Sequence, residues 1–109
     1  MNNELQRQVI TKAFNDLHFR VIFWNSHPNA NGVDCYVQKP NEKPMSVEIK
    51  TVKLNKTTKA LSVEPVSEHR KQDDFIAIII NKNYVLIEPM EQHLRCCGDA
   101  GYRAMTMFR

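Results

Sequence analysis

Several features that mark other protein classes are missing from this sequence. No run of 18 apolar residues occurs among its 109 residues, so we expect no transmembrane helix. The first residues, Met1–Glu4, carry neither a basic nor an apolar segment, so we expect no secretory signal. The three cysteines are odd in number and include the neighbours Cys96 and Cys97, which makes a poor disulfide framework and favours a reducing cytoplasm.

The chain also lacks a large excess of charge, because its net charge is only +3. The distribution of the charge is more informative, since residues 49–60 hold four lysines and no acid, and a second basic run follows at 69–71. Clustered cations indicate a polyanionic partner, although a solvated loop is the plainer interpretation. The candidate contacts to a nucleic-acid backbone are Lys53, Lys56, Lys59, His69, Arg70 and Lys71.

A length of 109 residues predicts a single domain, residues 1–109, and the apolar pattern predicts that it mixes α and β structure. Helices are predicted where apolar residues recur every three to four positions, at 3–17 and 90–96, with a weaker helix at 66–73. Strands are predicted at 19–24, 33–38, 45–53, 59–63, 75–80 and 84–88. The run at 75–80 is apolar without alternation, which is typical of a central strand buried on both faces. We assign no element to residues 100–109.

The stretch from Val33 to Lys53 carries the strongest chemical signal. Two alternating runs flank a polar turn that has a proline at each end, a pattern that predicts a hairpin. Glu48 and Lys50 are two residues apart, so on a strand their side chains point to the same face. Asp34 lies on the facing strand of this hairpin.

Two registers of the hairpin remain open. A turn centred on Asn41 places Asp34 opposite Glu48, whereas a turn centred on Glu42 places it opposite Lys50. In both registers the two carboxylates and the ammonium group share one face, which suits the binding of one hard cation. The plainer alternative is an exposed strand face with weak cross-strand ion pairs.

These residues resemble the motif of the PD-(D/E)XK nuclease superfamily. Asp34 follows Gly32-Val33 and is separated by thirteen residues from Glu48-Ile49-Lys50, and the predicted elements over residues 3–90 follow a similar order. Valine 33 stands where the name of the family has proline. The resemblance implies a restriction-endonuclease-like core in the α/β (α+β) class, with a mixed sheet flanked by helices in the order αβββαββα.

The resemblance also implies a function, the Mg²⁺- or Mn²⁺-dependent hydrolysis of DNA phosphodiester bonds by a cytoplasmic endonuclease. Asp34, Glu48 and the Ile49 carbonyl would bind the metal, and Lys50 would orient water or hold the scissile phosphate. Members of the family often add a carboxylate from the first helix and a residue from the helix after the motif. Glu4 and Gln72 are the matching candidates. A junction-resolving enzyme of a phage or mobile element that acts as a homodimer is the expected setting.

Two other functions remain open. The first is a DNA- or protein-binding module that keeps the nuclease fold without catalysis. The second is a zinc-stabilised interaction module that would use Cys35, His93, Cys96 and Cys97, although this spacing matches no standard zinc pattern.

Overall fold

The computed structural model describes residues 2–26 and 32–105. These residues form a mixed α/β fold with a five-stranded sheet, a three-stranded sheet and two α-helices. The helices and a short 3₁₀ turn are α1 (Asn3–Asp16), the turn Glu68–Arg70 and α2 (Met90–Arg95). The strands are β1 (Arg20–Trp24), β2 (Cys35–Gln38), β3 (Met45–Thr51), β4 (Lys53–Leu54), β5 (Leu61–Val63), β6 (Phe75–Asn81), β7 (Tyr84–Pro89) and β8 (Arg103–Met105).

Helix α1 begins where the sequence predicts. The Asn2 side chain caps it, since Asn2 Oδ1 accepts a hydrogen bond of 2.8 Å from the Leu5 N–H. Ile10 and Phe14 lie on the apolar stripe and are fully buried against the large sheet. Neither helix in the described segments is long and apolar enough to cross a membrane.

The large sheet has the strand order β1-β2-β3-β6-β7. Strand β3 runs parallel to β6, and the other neighbours are antiparallel. Strand β6 lies inside the sheet, and its residues from Ile76 to Ile79 are fully buried. The prediction of a central strand buried on both faces is therefore confirmed.

The two faces of the large sheet belong to two separate hydrophobic clusters. On the α1 face, Val47 and Ala77 pack with the buried residues of α1. On the opposite face, Ile76 and Ile78 pack with Val63 of β5 and with other residues of the second cluster. Glu48 and Lys50 pair with Ile76 and Ile78, so they also point to this second face, which we call the site face.

The connection from β3 to β6 differs from the expected order. The helix predicted at 66–73 is only the 3₁₀ turn at Glu68–Arg70, because this polar stretch has a single buried apolar residue, Val66, to hold a longer helix. The connection instead carries β4 and β5, and β8 completes their three-stranded sheet.

Candidate active site

The pairing of β2 with β3 selects one of the two registers that the sequence leaves open. Cys35 lies opposite Val47, and Val37 lies opposite Met45, so the hairpin is centred on Asn41. Asn41 has a φ angle of 63°, a left-handed conformation that asparagine tolerates better than most residues. Continuing the register by one residue places Asp34 opposite Glu48.

Asp34 lies at the point where β2 separates from β3. Beyond this point β2 no longer offers a backbone carbonyl to β3. The Asp34 side chain takes its place, since Asp34 Oδ2 accepts a hydrogen bond of 2.8 Å from the Ile49 N–H. The N–H and C=O of one residue in a strand point to the same side, so the Ile49 carbonyl also faces this opening. The split between the two strands therefore gathers acidic and carbonyl oxygens at one place.

This hydrogen bond gives a prediction for the stability of the fold. We expect Asp34→Ala to lower the free energy of unfolding by about 1–3 kcal/mol, because the Ile49 N–H loses its acceptor. Asp34→Asn keeps an oxygen acceptor and is expected to cost less than the alanine variant. Urea denaturation of both variants measures the difference, and equal losses would contradict a capping role for this side chain.

Glu48 is the most perturbed carboxyl group of the site. It is only 8% exposed, and burial together with a hydrogen bond to Asp34 and the Asp34 charge raises its pKa to about 8. The positive charge of Lys50 opposes this rise, and Asp73 adds to it. A pKa of about 8 favours the protonated form of Glu48 at neutral pH.

Lys50 lies between the carboxylate pair and a second buried group. Its charge lowers the pKa of Glu48 and also that of His93, whose pKa is lowered first of all by burial. The ammonium group is therefore close enough to act electrostatically on both. It is half-buried on the same face as Glu48, as the sequence predicts.

The donor set of this site fits a hard divalent cation. Asp34, Glu48 and the Ile49 carbonyl offer oxygen ligands only, and the burial of Glu48 beside Asp34 raises its pKa. Within residues 2–26 and 32–105, no group of three or more histidine, cysteine or acidic side chains is arranged to hold a metal. Two carboxylates with several waters and a substrate phosphate are a common ligand set for Mg²⁺.

Glu4 lies on the other side of the sheet from the carboxylate pair, whereas Gln72 is the chain neighbour of a residue that acts on the pair. Glu4 lies in the exposed first turn of α1, which packs on the α1 face, and its Oε1 accepts a hydrogen bond of 3.4 Å from Gln8. Gln72 is exposed in the turn before β6. Its neighbour Asp73 is the residue that the sequence interpretation missed, since it is 7% exposed and its charge raises the pKa of Glu48.

Asp73 also forms an ion pair with Arg70, one of the predicted DNA contacts. Arg70 is largely buried, and its guanidinium lies 3.3 Å from Asp73 Oδ1. Arg70 is therefore left out of the proposed interface, because its charge is paired inside the protein. The signal in the sequence was the pair of acids directly before the buried apolar run of β6.

The remaining basic residues are exposed. Lys56 and Lys59 lie in the turn between β4 and β5, and His69 lies on the 3₁₀ turn. Lys53 forms an exposed ion pair with Glu64, and Lys71 forms one with Glu68 at 2.7 Å. Exposed pairs of this kind are weak, so both lysines remain available to a polyanion.

Of the four residues of the zinc alternative, His93 and Cys97 are in contact, with Cys97 Sγ 3.6 Å from His93 Nε2, whereas Cys96 is exposed and Cys35 lies on the other face of the sheet. Cys35 is fully buried on the α1 face, where burial raises the pKa of its thiol to about 12. His93 lies in α2 beyond the site face, where its Nδ1 is 3.4 Å from Glu88 Oε1 and 3.2 Å from Arg103 Nη1. Arg103 also pairs with Glu88, so this imidazole belongs to a buried polar network that ties β7, α2 and β8 together.

Comparison of the chain with models of protein families, with curated proteins and with solved structures found no match.

Proposed function

We propose that this protein is a metal-dependent endonuclease of the PD-(D/E)XK type, which hydrolyses phosphodiester bonds in DNA. The observation that carries the proposal is the pair formed by Asp34 and Glu48 at the split between β2 and β3. Glu48 is buried there with a raised pKa, Asp34 accepts the hydrogen bond from the Ile49 N–H beside it, and Lys50 follows on the same face. An exposed ion-pair face, the plainer alternative, would not bury Glu48 or raise its pKa.

Each residue of the proposed site has a separate role. A bound Mg²⁺ or Mn²⁺ would supply charge stabilisation and an activated water. Asp34 and Glu48 would hold the cation through their oxygens, with the Ile49 carbonyl as a third ligand. Lys50 contributes a compact positive charge toward the scissile phosphate and limits repulsion within the carboxylate pair.

The proposed DNA-binding surface is the basic hairpin, which comprises β4, β5 and the turn between them. Lys53, Lys56 and Lys59 project from it, with His69 and Lys71 on the neighbouring connection. Contacts of this kind go to phosphates and give affinity without sequence preference. The assembly of two copies into a homodimer stays a prediction.

A non-catalytic DNA-binding module is the second candidate. The basic hairpin favours it, because these lysines would bind DNA whether or not the carboxylate pair binds metal. Salt-dependent DNA binding without cleavage in any metal would identify this alternative.

The test is a cleavage assay with labelled supercoiled, linear duplex, single-stranded and four-way-junction DNA. Each substrate is incubated with Mg²⁺, Mn²⁺ or EDTA at the same ionic strength. We expect cleavage that requires a divalent cation and stops in EDTA. Cleavage that persists in EDTA, or none with any metal and substrate, would reject the nuclease proposal.

A further inference from the structure

Two aromatic side chains lie next to each other on the site face. Phe23 of β1 pairs with Tyr36 of β2, and their ring centroids are 5.9 Å apart with an interplanar angle of 59°. Phe23 is 48% exposed, so one face of its ring is open to a ligand. A β-bulge between Val21 and Phe23 sets the register that brings Phe23 opposite Tyr36.

The register places this aromatic pair beside the proposed catalytic carboxylates. Tyr36 lies two residues after Asp34, and its partner on β3, Ser46, lies two residues before Glu48. Two residues along a strand span about 7 Å. The rings and the carboxylates therefore form neighbouring rows on one face.

Positive charge lies beyond both rows. Arg20 is exposed on β1 and pairs with Gln38, one row past the aromatic pair. Lys50 lies two residues past Glu48 at the other end, and the basic hairpin follows β3 in the chain. Along the strands, the order is thus a cation, an aromatic pair, a carboxylate pair and a second cation.

We infer that Phe23 and Tyr36 form a stacking surface for an unpaired nucleobase next to the bond that is cut, so that the site takes single-stranded or locally unpaired DNA. The inference rests on the proposed nuclease function. A base in a duplex has both its faces covered by its neighbours in the stack, and only an unpaired base offers a free face to an aromatic ring. The cations at the two ends match the phosphates of the same strand.

The experiment measures binding without cleavage. Fluorescence anisotropy in EDTA compares a labelled single strand, the same strand in a duplex, and an abasic strand of equal length. We expect the wild-type protein to bind the base-containing single strand most tightly. Phe23→Ala is expected to weaken that binding by about 5- to 100-fold and to leave the affinity for the abasic strand unchanged.

Matched variants separate stacking from a loss of structure. Tyr84→Ala removes a ring with a similar exposure of 46% from the opposite edge of the sheet, and it is expected to leave every affinity unchanged. Phe23→Trp keeps an aromatic face and is expected to retain the preference for base-containing DNA. Circular dichroism of each variant checks the fold.

Three results would overturn the inference. The first is equal affinity of the wild-type protein for base-containing and abasic strands. The second is unchanged single-strand affinity in Phe23→Ala. The third is a Phe23→Ala variant that loses self-association in sedimentation but binds DNA normally, since the rings would then contact a second copy.

The inference and the proposed nuclease function fail separately. Base-dependent binding without cleavage in any metal would reject the nuclease and keep the stacking surface. Metal-dependent cleavage with equal binding of base-containing and abasic strands would support the nuclease and reject the stacking surface.

Discussion

Glu48→Gln is expected to give a folded protein that has lost DNA cleavage by roughly 10²- to 10³-fold or more, the loss seen when one group that stabilises transition-state charge is removed. Glutamine can still donate a hydrogen bond to Asp34, as the protonated glutamate does, so the buried pair keeps its packing. It cannot become an anionic oxygen ligand, so the cation loses one of its two carboxylates. The variant therefore separates chemistry from folding.

Rates of cleavage at saturating Mg²⁺ measure this effect, with thermal unfolding as the check on structure. Glu42→Gln is the matched control, because it makes the same substitution on an exposed residue in the turn between β2 and β3. Lys50→Ala is expected to lose cleavage as well, since it removes the positive charge beside the carboxylate pair. Full activity in Glu48→Gln would assign the chemistry to another site.

The stability of the metal-free protein is expected to fall as the pH rises from about 4.5 to about 8. Glu48 has an ordinary pKa of 4.5, which the folded protein raises to about 8 through burial and the neighbouring Asp34. Between these values the folded state holds a proton that the unfolded state has released. The free energy of unfolding therefore decreases with pH, by at most about 1.4 kcal/mol per pH unit from this group.

Urea denaturation in EDTA at several pH values measures this slope. Glu48→Gln does not titrate, so its slope is expected to be smaller, and it is expected to be more stable than the wild type at pH 8. Glu42→Gln should keep the wild-type slope. Mg²⁺ needs both carboxylates ionised, so its stabilising effect should grow with pH in the wild type and vanish in Glu48→Gln. Parallel slopes for wild type and Glu48→Gln would contradict the raised pKa.

Local patterns in the sequence predict much of this fold. The spacing of Ile10 and Phe14 predicts α1, and the unbroken apolar run of β6 predicts its central position, because periodicity reports which faces an element must bury. The hairpin places Asp34, Glu48 and Lys50 on one face in either register. The sequence leaves the register open because the left-handed conformation of Asn41, which centres the turn, depends on the packed structure.

Contacts between distant parts of the chain explain what the sequence does not predict. Asp73 approaches Glu48 only because β3 and β6 pair in parallel, and nothing local to either residue encodes that pairing. The polar stretch at 66–73 predicts a weak helix, but it buries too few apolar side chains to hold one and forms only a 3₁₀ turn. The expected second helix of the restriction-endonuclease-like order is absent from the described connection for the same reason.

The pairing of β5 with β8 has a consequence for the order in which the chain folds during synthesis. Leu61–Val63 pairs with Arg103–Met105, so β5 leaves the ribosome about forty residues before its outer partner. At about 5–20 residues per second, the edge of β5 stays open for some seconds. Glu88 is also synthesised before Arg103, its ion-pair partner. A nascent chain halted before residue 103 is therefore expected to bind holding chaperones, and release is expected once β8 emerges.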